Sequence, residues 1–256
     1  MSVYNDNFYL DNRTRIKSAE EFLSHLFKYY KPKSLVDVGC GRGAWLKVAQ
    51  NLGVNNLLGI DGKWNKEKLI LKNTKKSKVK FIYKNLNHFF KAEKKYDLAI
   101  CLEVAEHLNS SSAVNLVKSI INLSNAIVFG AAYNMQGGVM HINEREHSYW
   151  GKLFLNNNFI VFDIFRPNLC KRNNISFWYR QNTFLFIKKK SKIIKILNKN
   201  NIYPLSNTDF MDCIHPELFY RRVGEQGIKY HVKKIISLLI KKIKKIFSIC
   251  FVKSML

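Results

Sequence analysis

A chain of 256 residues holds one full α/β domain plus an appendage, and 47% apolar residues are enough to fill a core, which excludes global disorder. Five scattered cysteines without a C-x-x-C pair exclude a disulfide framework and predict reduced thiols in a cytoplasmic protein. A formal net charge of +25 leaves two readings open: an anionic partner, nucleic acid or membrane, or a solvated basic surface.

The N-terminal lead is polar and lacks the apolar stretch of a signal peptide. Residues 1–30 form this lead and a helix over 18–30, opened by a capping box of Ser18 and Glu21. Leu35 to Val38 is a strand interrupted by Asp37, and Gly39, Cys40, Gly41, Arg42 and Gly43 form a glycine-rich turn. A helix over 44–52 follows. Alternate glycines let a ligand lie against bare backbone, so this strand, turn and helix predict a nucleotide-type pocket. A strand at 57–60 ends in Asp61, placed to accept ribose hydroxyls.

Further strands are predicted at 79–83, 97–102, 126–130, 159–165 and 182–188. Helices are predicted at 65–72, 112–122 and 146–156. The alternation predicts a doubly wound, seven-stranded, mostly parallel sheet, with helices on both faces. The last two strands are joined by a loop too short for a crossover helix, so one of them runs antiparallel. After the fourth strand, Glu103, Glu106 and His107 form E-x-x-E-H. On one helical turn they share a face and make a metal half-site. The segment after the fifth strand carries Asn134, Gly137, Gly138, His141, Asn143, Glu144, His147 and Tyr149. Asn134, Asn143, Glu144 and Tyr149 are candidate substrate contacts. His141 or His147 completes the metal set.

The G-x-G-x-G spacing, with Asp37 two residues ahead and Asp61 downstream, resembles motif I of the class I S-adenosylmethionine-dependent methyltransferases. The resemblance implies the Rossmann-like methyltransferase fold. It implies that Asp37 lies near the cationic end of the donor, and that Gly39, Cys40, Gly41, Gly43, Leu102 and Glu103 line the donor pocket. Asn85-Leu86 stands where many members have an Asp before an apolar residue; an Asn oxygen still accepts from the adenine amino group. E-x-x-E-H is similar to the metal-dependent O-methyltransferases of ubiquinone synthesis and of small-RNA 3′-terminal ribose. It implies Mg²⁺ or Mn²⁺ on Glu103, Glu106, His107 and His141 or His147, with Fe²⁺ and Co²⁺ open. The pattern around His141 looks like sugar and capsular-polysaccharide O-methyltransferases. His107, His141 and Glu106 are the catalytic candidates, with His141 as base and Glu106 as its orienter where no metal is used.

Trp64, Trp150 and Trp178 read as core residues or stacking platforms, and His25, His88, His215 and His231 as structural or exposed. Residues 1–190 are expected to form the methyltransferase domain and 191–256 a basic helical extension. From Ile228 to Leu256 there is no acid, and apolar residues recur at helical spacing opposite lysines. That pattern suits an anionic membrane surface, placing the protein at the inner face of the membrane. Three functions follow: O-methylation of a hydroxyl, or of a phosphate-like oxygen, on a nucleotide-linked sugar or surface-polysaccharide precursor; methylation of RNA ribose; or a membrane-associated scaffold with a vestigial pocket.

Overall fold

The computed structural model describes residues 12–63, 74–75, 77–91, 93–225, 231–233 and 235–240. The predicted helix 65–72 and Trp64 lie outside the described residues, as does much of the basic tail. The described chain divides into two compact units, the first ending at Cys213 and the second beginning at Ile214.

Seven strands form one sheet: β1 Ser34–Val38, β2 Asn56–Asp61, β3 Lys78–Tyr83, β4 Leu98–Leu102, β5 Ala126–Gly130, β6 Phe159–Phe162 and β7 Phe184–Lys188. Their order is β3-β2-β1-β4-β5-β7-β6. The first five pair in parallel, while β7 runs antiparallel to both β5 and β6. The predicted architecture is therefore present. β1, β4 and β5 are nearly continuous apolar runs because helices cover both faces. Alternate residues feed two cores. Leu35, Leu57, Leu98 and Ile100 join one with α1 (Asn12–Phe27) and α2 (Ala44–Asn51). Val36, Leu58, Ala99 and Cys101 join the other with α3 (Ser110–Leu123) and α4 (His147–Leu155).

Three boundaries differ from expectation. α1 starts ahead of Ser18, whose hydroxyl donates to the Thr14 carbonyl inside the helix instead of capping it. Ser18 is fully buried and also accepts from the Ser176 amide, so tertiary contact overrides the capping-box pattern. The β6–β7 connection is not a plain loop but carries two short helices, α5 (Arg166–Leu169) and α6 (Phe177–Asn182). Phe177 and Tyr179 are buried there, and Asn182, expected in the last strand, ends α6. Lastly, the first unit extends past residue 190. α7 (Lys192–Lys199) packs Ile193 and Leu197 into the α1-side core, and Met211 enters the opposite one.

Candidate active site

The carboxyl ends of β1, β2 and β4 meet at the glycine turn. Gly39, Gly41 and Gly43 all have left-handed φ, of 76, 51 and 81°. The amides of Gly39 and Cys40 donate to the Ile60 carbonyl, and that of Gly41 donates to Asp61 Oδ2 at 2.7 Å. Asp61 Oδ1 accepts from the Gly62 amide. A Cβ on Gly39 would run into the Val104 side chain, so only a glycine lets that side chain, just past β4, pack on the turn. Cys40 is buried, with its thiol pushed well up by burial, which makes it a packing residue. Leu86 and Leu102 are buried beside this crevice, while Asn85 is exposed and its side-chain oxygen accepts from Asn87.

Asp37 is 3% exposed, and its Oδ2 has no hydrogen-bond partner. Burial, and then the nearby Asp61, push its carboxyl up to about 8. Burial likewise raises Glu103 and Glu106, and the two carboxyls interact directly. Asp37, Glu103 and Glu106, each with its carboxyl raised by burial, thus converge with Asp61 at three strand ends, an arrangement that favours a cationic ligand.

Glu103 does not share a helical face with Glu106 and His107. It takes φ of +56° directly after β4, and a 3-10 turn begins only at Ala105 and runs to His107. Glu103 is instead held by amides. Asn182 Nδ2 donates to its Oε1 at 2.9 Å and Gln136 Nε2 to its Oε2 at 3.4 Å. Sequence reading missed Asn182 and Gln136, because they lie 79 and 33 residues away from Glu103 and belong to no local motif.

The loop after β5 supplies the other wall. The amides of Ile142 and Asn143 donate to the Glu106 carbonyl, and Asn143 Nδ2 donates to that of Ala105. Asn143 Oδ1 accepts from Ser110 and Arg145, so this side chain staples the loop. His141 is brought against His107, with ring centroids 4.9 Å apart. The donor atoms of Glu106, His107 and His141 all lie within 4.8 Å of one another.

This donor set fits a divalent ion. Glu106 is fully buried, and neither of its carboxylate oxygens makes a well-formed hydrogen bond, although Glu103 and the Ala132 peptide lie beside it. His141 Nδ1 meets Glu144 Oε1 at 2.8 Å and His107 Nδ1 meets the Met140 carbonyl at 3.3 Å. Ligating imidazoles are commonly oriented in this way. Burial and then His141 lower His107 to about 4, which keeps its ring neutral, as ligation requires. Glu103 and His147, both expected in the metal set, stand outside it. His147 is 1% exposed, with ring nitrogens 3.2 Å from the Met211 carbonyl and 3.1 Å from Asn182 Oδ1. Among the other substrate candidates, Asn134 is exposed, Glu144 orients His141, and Tyr149 is half-buried under the Arg145 guanidinium. Trp150 is a core residue and Trp178 is partly buried against the α1-side core.

The sheet order, the glycine turn and the converging acids define an S-adenosylmethionine-dependent methyltransferase. Residues 12–163, more than half of the chain, match the family model described as "Methyltransferase domain", and the chain belongs to that family. A ubiquinone biosynthesis O-methyltransferase of Pelagibacter ubique (strain HTCC1062) is 28% identical over 121 residues, spanning 47% of this chain and 47% of that protein. The match thus covers about half of the relative's length. The small RNA methyltransferase HEN1 superposes with a TM-score of 0.52 at 16% identity, over 68% of this chain and 25% of that one. The methyltransferase domain of a bacterial Hen1 superposes with a TM-score of 0.51 at 14% identity, over 67% and 97%. These superpositions support the fold. The scaffold reading is set aside with the enzyme family shown.

Proposed function

We propose that the protein is a divalent-metal-assisted O-methyltransferase acting on a hydroxyl of a nucleotide-linked sugar or of a surface-polysaccharide precursor. The observation that carries this reading is the Glu106–His107–His141 group, held at the carboxyl end of β4 beside the donor pocket. Asp37, Gly39, Gly41 and Asp61 hold the donor. An ion on Glu106, His107 and His141 would lower the pKa of the acceptor hydroxyl and fix its oxygen. The methyl carbon passes from sulfur to that oxygen, S-adenosylhomocysteine leaves, and the hydroxyl proton goes to solvent. Glu144 keeps His141 in place throughout. Glycine at 138 is required because a Cβ there would run into the His141 ring.

The basic tail supports a peripheral site of action at an anionic membrane. Of its described residues, Val232, Ile235, Ile236, Leu238, Leu239 and Ile240 are exposed. No helix among the described residues is long and apolar enough to cross a bilayer. Methylation of RNA ribose is the second reading, favoured by the +25 charge.

The test is a panel of sugar nucleotides incubated with S-adenosylmethionine and read by mass. One added methyl group, lost on chelation and restored by Mn²⁺ or Mg²⁺, is expected. An inert panel alongside methylated RNA would overturn the sugar assignment, and a rate indifferent to chelation would remove the ion.

A further inference from the structure

Behind the donor crevice runs a buried polar chain that the reaction as described does not use. It links Arg166, the Met211 carbonyl, His147, Asn182 and Glu103. Asn182, fully buried at the end of α6, is its hub. Its Oδ1 faces His147 Nε2. Its Nδ2 donates to Glu103 Oε1 at 2.9 Å and to Gln136 Oε1 at 3.0 Å. Its backbone carbonyl lies against Gly130, where a Cβ would approach it to 2.9 Å. Gln136 is itself held, since its Oε1 also accepts from the Tyr133 amide. The His147 ring is wedged between Tyr133 and Phe184, with ring centroids 4.9 and 5.2 Å away. Both side chains that aim Glu103, Asn182 and Gln136, are therefore held by further contacts of their own.

Glu103 is held at a left-handed φ, outside the Glu106–His107–His141 group, and its neighbour Val104 packs on Gly39 of the donor turn. A non-glycine residue keeps such a backbone only where its surroundings over-determine it. We propose that Asn182, assisted by Gln136, is a positioning residue that directs the Glu103 carboxylate to the ammonium group of the methyl donor. The proposal rests on the donor reading. Asn182 spends its amide on separating the two acids of the E-x-x-E-H motif, Glu103 for the donor and Glu106 for the acceptor side.

The test uses the full chain and two ligands measured by calorimetry. S-adenosylhomocysteine keeps the ammonium, whereas 5′-methylthioadenosine lacks it. Asn182→Ala is expected to weaken S-adenosylhomocysteine about tenfold, the worth of one hydrogen bond to a charged group, and to leave 5′-methylthioadenosine within about twofold. Adding Asn182→Ala to Glu103→Gln is expected to cost less than about twofold more, because both act through one contact. Gln136→Met, on the loop and close in size, gives the same contrast in smaller measure and serves if Asn182→Ala does not fold. Equal weakening of both ligands, or of neither, overturns the proposal. A wild-type protein that binds neither ligand would instead remove the donor reading, and this proposal with it.

Discussion

Asp37 is buried at the mouth of the donor crevice with one carboxylate oxygen unpartnered. Its pKa is raised from 3.8 to about 8, so the fold holds the proton more tightly than the unfolded chain does. The stability contribution is therefore complete below the unfolded value, declines as pH rises through that window, and is flat above it. Thermal denaturation across pH 4–9 is expected to show this decline, and Asp37→Asn is expected to flatten it. A cationic donor reverses the preference, so its binding at pH 7 should release protons, seen as a dependence of the calorimetric heat on buffer. At Gly39 the constraint is steric: Gly39→Ala meets both a φ of 76° and the Val104 side chain. A loss of roughly 1–3 kcal/mol in stability is expected by denaturant titration, with donor binding impaired as well. These residues were legible in the sequence because the donor turn is local, an acid and three glycines within seven positions. Asn182 was not, because its partners come from the residue after β4, from α4 and from the loop between β5 and α4.

At the scale of elements, strands were more legible than helix ends. The central strands β1, β4 and β5 are apolar runs buried on both faces, a pattern that survives any tertiary detail, whereas β3 at the sheet edge is largely exposed. The capping-box pattern at Ser18 was misleading, since a buried serine that donates to Thr14 is indistinguishable in sequence from one that caps. E-x-x-E-H was read as one helical turn, but the left-handed backbone at Glu103 breaks the phase between its two acids. The loop between β5 and α4 was legible in composition but not in geometry. It holds its shape by strain and by staples: Met135, Gly137 and Met140 take positive φ, and Asn143 ties it to the 3-10 turn. Gly138→Ala is expected to displace His141 while the sheet stays intact. Methyl transfer should fall about tenfold or more, because small misplacements of a reacting group are costly, with the melting temperature nearly unchanged. Full activity in that variant would show that His141 plays no part.

At the scale of the molecule, the chain divides into a first compact unit ending at Cys213 and a second that carries the basic tail, where Val232, Ile235, Ile236, Leu238, Leu239 and Ile240 are exposed. Truncation after Cys213 is expected to leave donor affinity within about twofold and to abolish sedimentation with anionic vesicles. Retained sedimentation would move the membrane contact to the first unit. The whole account depends on acids converging at three strand ends to receive a cation. The most direct measurement is a calorimetric titration of S-adenosylmethionine into the wild-type protein and into Asp37→Asn. The account predicts saturable binding to the wild type and an affinity at least about tenfold lower in the variant, the worth of one lost charge contact. Equal affinity in the two proteins would contradict it.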